Sequence, residues 1–189
     1  MARRAAMLGA FLTPGAGVEP WIYTERAHRL PDLQPANATG WINDWAVVPP
    51  KPVLTRDAPP DNQLLANTKR YGLFGRGDAA KAVRTITASL PEDGAPTLVL
   101  FHFWGLGYDG TTLADQLEAA SGANVFWQFL GDPDLGHVLW RLDELRAEAP
   151  HITNVNLFRG WAVQAGVPEY LLFRGALKPF VRWRRQLKN

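Results

Sequence analysis

The residues of this chain that could do chemistry gather where two apolar runs end. PTLVLFHFWG closes on His102, Phe103 and Trp104, NVFWQFLG closes on Gly131, and a helix-like segment, DGTTLADQLEAAS, lies between them. In a parallel α/β sheet the crevice beyond the carboxyl ends of the strands is the default ligand site, because backbone termini and helix N-termini converge there. No carboxylate stands among His102, Phe103 and Trp104. A site built at this rim is therefore aromatic rather than ionic.

The remaining reactive residues form no known constellation. The four histidines share no HxxxH or HxH spacing, so a zinc site is not expected. His28 reads as a strand residue with local hydrogen bonds, His102 as a satisfied core histidine, and His137 and His151 as surface or helix-end groups. A phosphate loop, a dinucleotide fingerprint and a nucleophile elbow are all missing. Arg76-Gly77-Asp78 spells an adhesion tripeptide, but it reads more simply as a turn with Asp78 capping the following helix. No cofactor is expected. Asp78 and Asp109 alone do not offer the convergent oxygens a hard cation needs, so no metal is expected either.

Composition narrows the setting. The chain has 189 residues, 47% of them apolar, enough for one domain with a sizeable core. It contains no cysteine, which excludes disulfides and thiolate metal sites and fits a reducing, cytoplasmic compartment. Its apolar runs fall far short of the roughly 20 residues that span a bilayer. The start, MARRAAMLGAFLTPGAG, superficially resembles a signal peptide, yet Met7, Leu8, Phe11 and Leu12 recur at helical spacing and Pro14-Gly15 ends the run, so a helix is expected. A formal net charge of +2 does not describe a nucleic-acid binder. The charge is concentrated, however: Arg174, Lys178, Arg182, Arg184, Arg185 and Lys188 follow Glu169 without a balancing acid.

The elements that would position the rim can be read in order. Short strands are expected at Trp21–Tyr23 and Ala27–Leu30, the second running on toward Pro31 and confined by it to an edge or an end. A short helix over Ala36–Ala46 would present Trp41, Ile42 and Trp45. Residues 49–62 are rich in Pro and Asp and form a long loop. A helix over Arg76–Leu90 buries Ala79, Val83, Ile86 and Leu90. Parallel strands follow near Leu98–Phe103, Val125–Leu130 and Val155–Phe158. A helix over Leu135–Ala147 turns Val138, Leu139, Leu142 and Leu145 inward, and a last helix spans Pro168–Leu187 with Phe173, Leu177, Phe180 and Leu187 as its stripe. Trp21, Trp127 and Trp140 are expected in the core. Strands alternating with helices make the fold class α/β, a three-layer, Rossmann-like domain with a mostly parallel sheet and an antiparallel edge strand.

Three stretches carry a family resemblance: WIYTERAHRLPDLQPANATGWI, PTLVLFHFWG, and NVFWQFLGDPDLGHVLWRLDEL followed by NVNLF. Together they resemble the von Willebrand factor A domain of the bacterial tellurium-resistance and cation-stress type, whose corresponding text runs through an aHRLP strand, a vLFiTDG strand and an iFWQFvGiG…fLekLD…NanfF block. The likeness spans about Arg3 to Leu187. A metal-binding member of that family holds a divalent cation on a DxSxS loop, a Thr before a later helix and an Asp at the end of the fourth strand. Here DxSxS is absent, because the chain begins inside what corresponds to the first helix. Aligning GRGDAAKAVR on GGTNYAPAIR puts Gly77 in place of the Thr, and aligning LFHFWG on LFITDG puts Trp104 in place of the Asp.

The resemblance implies a non-enzymatic, metal-independent interaction module in a bacterial stress or assembly system. Its partner surface would lie at the top of the sheet, at Gly77, Asp78, Phe103, Trp104, Leu106, Tyr108, Asp132 and Asp134. It also implies a first strand in mid-sheet that this sequence lacks, so that the strand at Leu98–Phe103 must pair with Trp21–Tyr23, take a strand from a partner or a second copy, or take one encoded before Met1. Two alternatives stand beside this reading. One is a Rossmann-like enzyme with His102 or His28 as acid/base and Asp109 or Asp132 as its partner. The other is a membrane or nucleic-acid contact through the basic C-terminal helix, against which stands an ordinary packed helix with a solvated face.

Overall fold

The computed structural model describes residues 2–13, 15, 17–45, 66–67, 70, 77–92, 94–102, 110–131, 142–145, 147–159 and 168–187. The chain divides into two compact units, Met1–Gly75 and Arg76–Asn189.

The first unit contains helix α1 (Ala2–Leu12), strands β1 (Trp21–Tyr23) and β2 (Ala27–Arg29), a 3-10 turn at Pro35–Asn37 and helix α2 (Ala38–Trp45). Just beyond α1 the chain takes φ +86° at Gly15, a conformation that costs glycine nothing. Ala6 packs with Leu33 and Ala38, backed by Val18 and Trp41. Contact through so small a residue sets the inward face of α1. Leu8 is buried, whereas Met7, Phe11 and Leu12, expected on the same stripe, are exposed. β1 and β2 form a local antiparallel hairpin, Trp21 opposite Arg29 and Tyr23 opposite Ala27. Among the described residues this pair is a two-stranded sheet of its own. Trp21, expected in the core, is only half-buried, as are the rest of β1 and the first two residues of β2. Trp41 is held by its indole N–H, which donates to Pro31 O at 2.9 Å.

The second unit contains α3 (Ala79–Ser89), β3 (Thr97–His102), α4 (Gly110–Ala119), β4 (Val125–Gly131), β5 (Val155–Arg159) and α5 (Glu169–Gln186). The strands lie in the order β3-β4-β5, both pairs parallel. β4 is central and every one of its residues is buried, which is why its sequence is apolar without alternation. Phe126, Gln128 and Leu130 face α5. Phe126 meets Phe180 and Trp183 with ring centroids 5.8 and 5.5 Å apart. Trp127 and Phe129 face the other way with Phe101, at centroid distances of 6.3 and 5.2 Å from it. α3 and α4 pack on one another and bury Val83, Ile86, Leu113 and Leu117.

α5 crosses β4 and β5. Its buried residues are Leu172, Ala176, Phe180 and Trp183, so of the expected stripe only Phe180 is fully inside and Leu187 is exposed. Gly175 explains the rotation: lacking a side chain, it lets the helix roll onto Phe158, which turns Leu172 and Ala176 inward. Of the helix expected over Leu135–Ala147, Leu142 and Leu145 are buried as anticipated, while Val138, Leu139 and Trp140 lie outside the described residues, as do 49–62.

Candidate functional site

Gly77 and Asp78 stand at the N-terminus of α3. Asp78 is the helix cap: its carboxylate accepts from the Lys81 backbone N–H at 2.9 Å and lies 3.0 Å from Lys81 Nζ. Partial burial pushes the carboxyl pKa up, but the Lys81 hydrogen bonds and the Lys81 and Arg84 charges outweigh it, so the pKa sits below its ordinary value. This carboxylate is thus committed to its own helix. Phe103, Trp104, Leu106, Tyr108, Asp109, Asp132 and Asp134 lie outside the described residues. Among the described residues no group of three or more His, Cys, Asp or Glu side chains converges as a metal site would require.

Three of the four histidines are among the described residues. His28 lies on β2 of the first unit, and His102 is half-buried at the end of β3 in the second. His151, exposed as expected, lies 3.4 Å from Glu118. A shallow depression of about 230 Å³ is lined by Arg84, Thr87 and Gln116 together with three alanines. It brings no acid and base together.

What the structure does present is a strand edge. In the β3·β4 ladder Thr97 N donates to Asn124 O at 3.0 Å. Parallel pairing turns alternate residues toward the partner strand. Thr97, Val99 and Phe101 therefore address β4, and the N–H and C=O of Leu98 and Leu100 point away from it. Among the described residues no strand pairs with that side. Residues Thr97–Leu100 are half-exposed, although LVLF is as apolar as the interior strand β4. The side chains of Leu98 and Leu100 pack under α5, on the Phe126–Phe180–Trp183 and Leu130–Ala176 groups.

Sequence reasoning missed the polar residues inside this unit. Gln128 is fully buried beneath α5. With its amide oriented so that donors meet acceptors, it donates to Ala176 O at 2.9 Å and accepts from Asn156 Nδ2 at 3.0 Å. Asn154, also fully buried, donates to Ala120 O at 3.1 Å and Val125 O at 3.0 Å, tying the end of α4 to the start of β4. A polar letter inside FWQFL was the available signal. Its partner, 28 residues away, was not.

The parallel sheet, with TLVLFH on β3, FWQFL buried in its middle strand and NVNLF paired beside it, places the second and third resembling stretches on adjacent strands. A family model, vWA-TerF-like, described as the vWA found in the TerF C terminus, matches residues 1–189. The chain belongs to this family. No curated protein and no solved structure matches it. As a vWA-TerF-like domain it carries a fold used for protein interaction and scaffolding, with an association to tellurium-resistance TerF. Among the described residues, no helix is long and apolar enough to cross a membrane.

Proposed function

We propose that this vWA-TerF-like chain is a non-enzymatic, metal-independent interaction module of a bacterial stress system, and that it engages its partner by strand addition at the outer edge of β3. The observation that carries this reading is the pair of outward peptide groups at Leu98 and Leu100, set in an apolar strand of interior character. Unpaired N–H and C=O groups at strand spacing are complementary to another strand and to little else. The first partner to consider is a second copy, whose β3 would pair antiparallel across a two-fold axis. Phe103, Trp104, Leu106 and Tyr108, which follow β3 directly in sequence, remain candidate partner residues. Gly77 and Trp104, standing where the family's metal-binding loops carry Thr and Asp, support the metal-independent reading.

The test is self-association measured by sedimentation over a wide concentration range, with amide hydrogen exchange read at Leu98 and Leu100. A dimer in which these amides are protected is expected. Leu98→Pro should abolish it while leaving the β3·β4 ladder intact, because the Leu98 N–H takes no part in that ladder. A monomer at every concentration, with both amides exchanging freely, overturns the proposal.

A further inference from the structure

The outward side of α5 carries a feature that neither the fold nor the β3 edge uses. Arg174, Lys178, Arg182 and Arg185 follow one another at intervals of four, four and three residues, all exposed, and so form one ridge about 16 Å long at 1.5 Å per residue. No acid lies within ion-pair distance of any of them among the described residues. Successive cations at this spacing repel one another and weaken a helix. The favourable effect of positive charge at a helix C-terminus covers only Arg184 and Arg185 in the last turn. Arg174, Lys178 and Arg182 sit too early in the helix to benefit, and a local cost without a local return marks a surface kept for another purpose.

Tyr170, Leu171 and Val181 flank the ridge at 67%, 43% and 39% exposure. A central line of cations with apolar residues to either side matches a helix that presents a line of carboxylates between apolar neighbours. A lipid surface fits poorly, because an interfacial helix inserts its apolar stripe, and here that stripe (Leu172, Ala176, Phe180 and Trp183) is buried against the sheet. A nucleic-acid duplex calls for broad positive potential, and the chain's formal net charge is only +2.

We propose that the Arg174–Lys178–Arg182–Arg185 ridge of α5 is a docking surface for an acidic helix of a partner protein. The site is separate from the β3 edge, so either can fail without the other.

The probe is a labelled synthetic helical peptide as long as α5, with glutamates at i, i+4, i+8 and i+11, titrated into the full chain by fluorescence anisotropy. A control peptide has the same composition with the glutamates spread around the helix. The aligned peptide should bind about tenfold more tightly than the control, and the triple variant Arg174→Ala, Lys178→Ala, Arg182→Ala should lose about tenfold in affinity. Binding should weaken as salt rises. The replaced side chains are solvent-exposed, and an unchanged circular-dichroism melt confirms that the variant folds. Equal binding of the two peptides, equal binding by wild type and variant, no binding at all, or tighter capture by phosphatidylserine vesicles or duplex DNA would each overturn the proposal.

Discussion

Gly175 of α5 lies on the ring of Phe158 in β5: a Cβ at this position would come within 2.8 Å of Cε2 and 3.2 Å of Cζ. Replacing a mid-helix glycine by alanine ordinarily stabilises a helix by about 1 kcal/mol. Here overpacking, worth about 1–3 kcal/mol, opposes that gain. Gly175→Ala is expected to destabilise the protein by about 1 kcal/mol in urea unfolding. In a Phe158→Leu background the same change should become neutral or stabilising, and the double-mutant cycle isolates the contact.

Asn154→Ala leaves the Val125 carbonyl without its buried side-chain donor, while the Ala120 carbonyl keeps the Ala123 N–H at 3.1 Å. One orphaned buried carbonyl costs about 1–3 kcal/mol, and a loss in that range is expected by chemical denaturation. Asn154→Asp should be no better, since a carboxylate cannot donate and its charge would be buried.

Asp78 links stability to acid. Its folded pKa is depressed, so its contribution is present at neutral pH, above the unfolded pKa, and is lost as pH falls through the folded value. Asp78→Ala should cost about 1 kcal/mol at pH 7 through loss of the cap. Asp78→Asn keeps a capping oxygen but removes the titration, so its stability curve should be flatter on the acid side below about pH 4. Thermal melts from pH 2 to pH 7 provide the comparison.

Excess Mg²⁺ or Ca²⁺ should leave the melting temperature unchanged. A ligand that binds only the folded state raises stability with its concentration, so a cation-specific rise would show an occupied site and end the metal-independent reading.

The three parallel strands and helices α3 and α4 were legible because buried strands write long apolar runs and helices write a period of 3.6. Asp78 was legible as a cap because that choice depends on residues three positions away. Local signals could not fix the phase of α5, which is set by Phe158 meeting Gly175 across 17 residues of sequence. Nor could they show that, among the described residues, the WIY and AHR strands would form a two-stranded sheet of their own, since a three-residue strand carries too little pattern to choose its partner. The expected rim at Phe103–Tyr108 and Asp132–Asp134 lies outside the described residues, so the site became legible through its backbone instead.

The amide of Gln128, reaching both Asn156 and the Ala176 carbonyl, acts as an index mark in an otherwise oily layer. Hydrocarbon surfaces slide over one another at small cost, and Leu, Phe and Ala would accept several registers of α5 above the sheet. A hydrogen bond of 2.9 Å to one particular carbonyl accepts a single one. The helix that carries the basic ridge is thereby held at a fixed height and rotation, so whatever reads its outer face meets the same spacing of charges in every molecule.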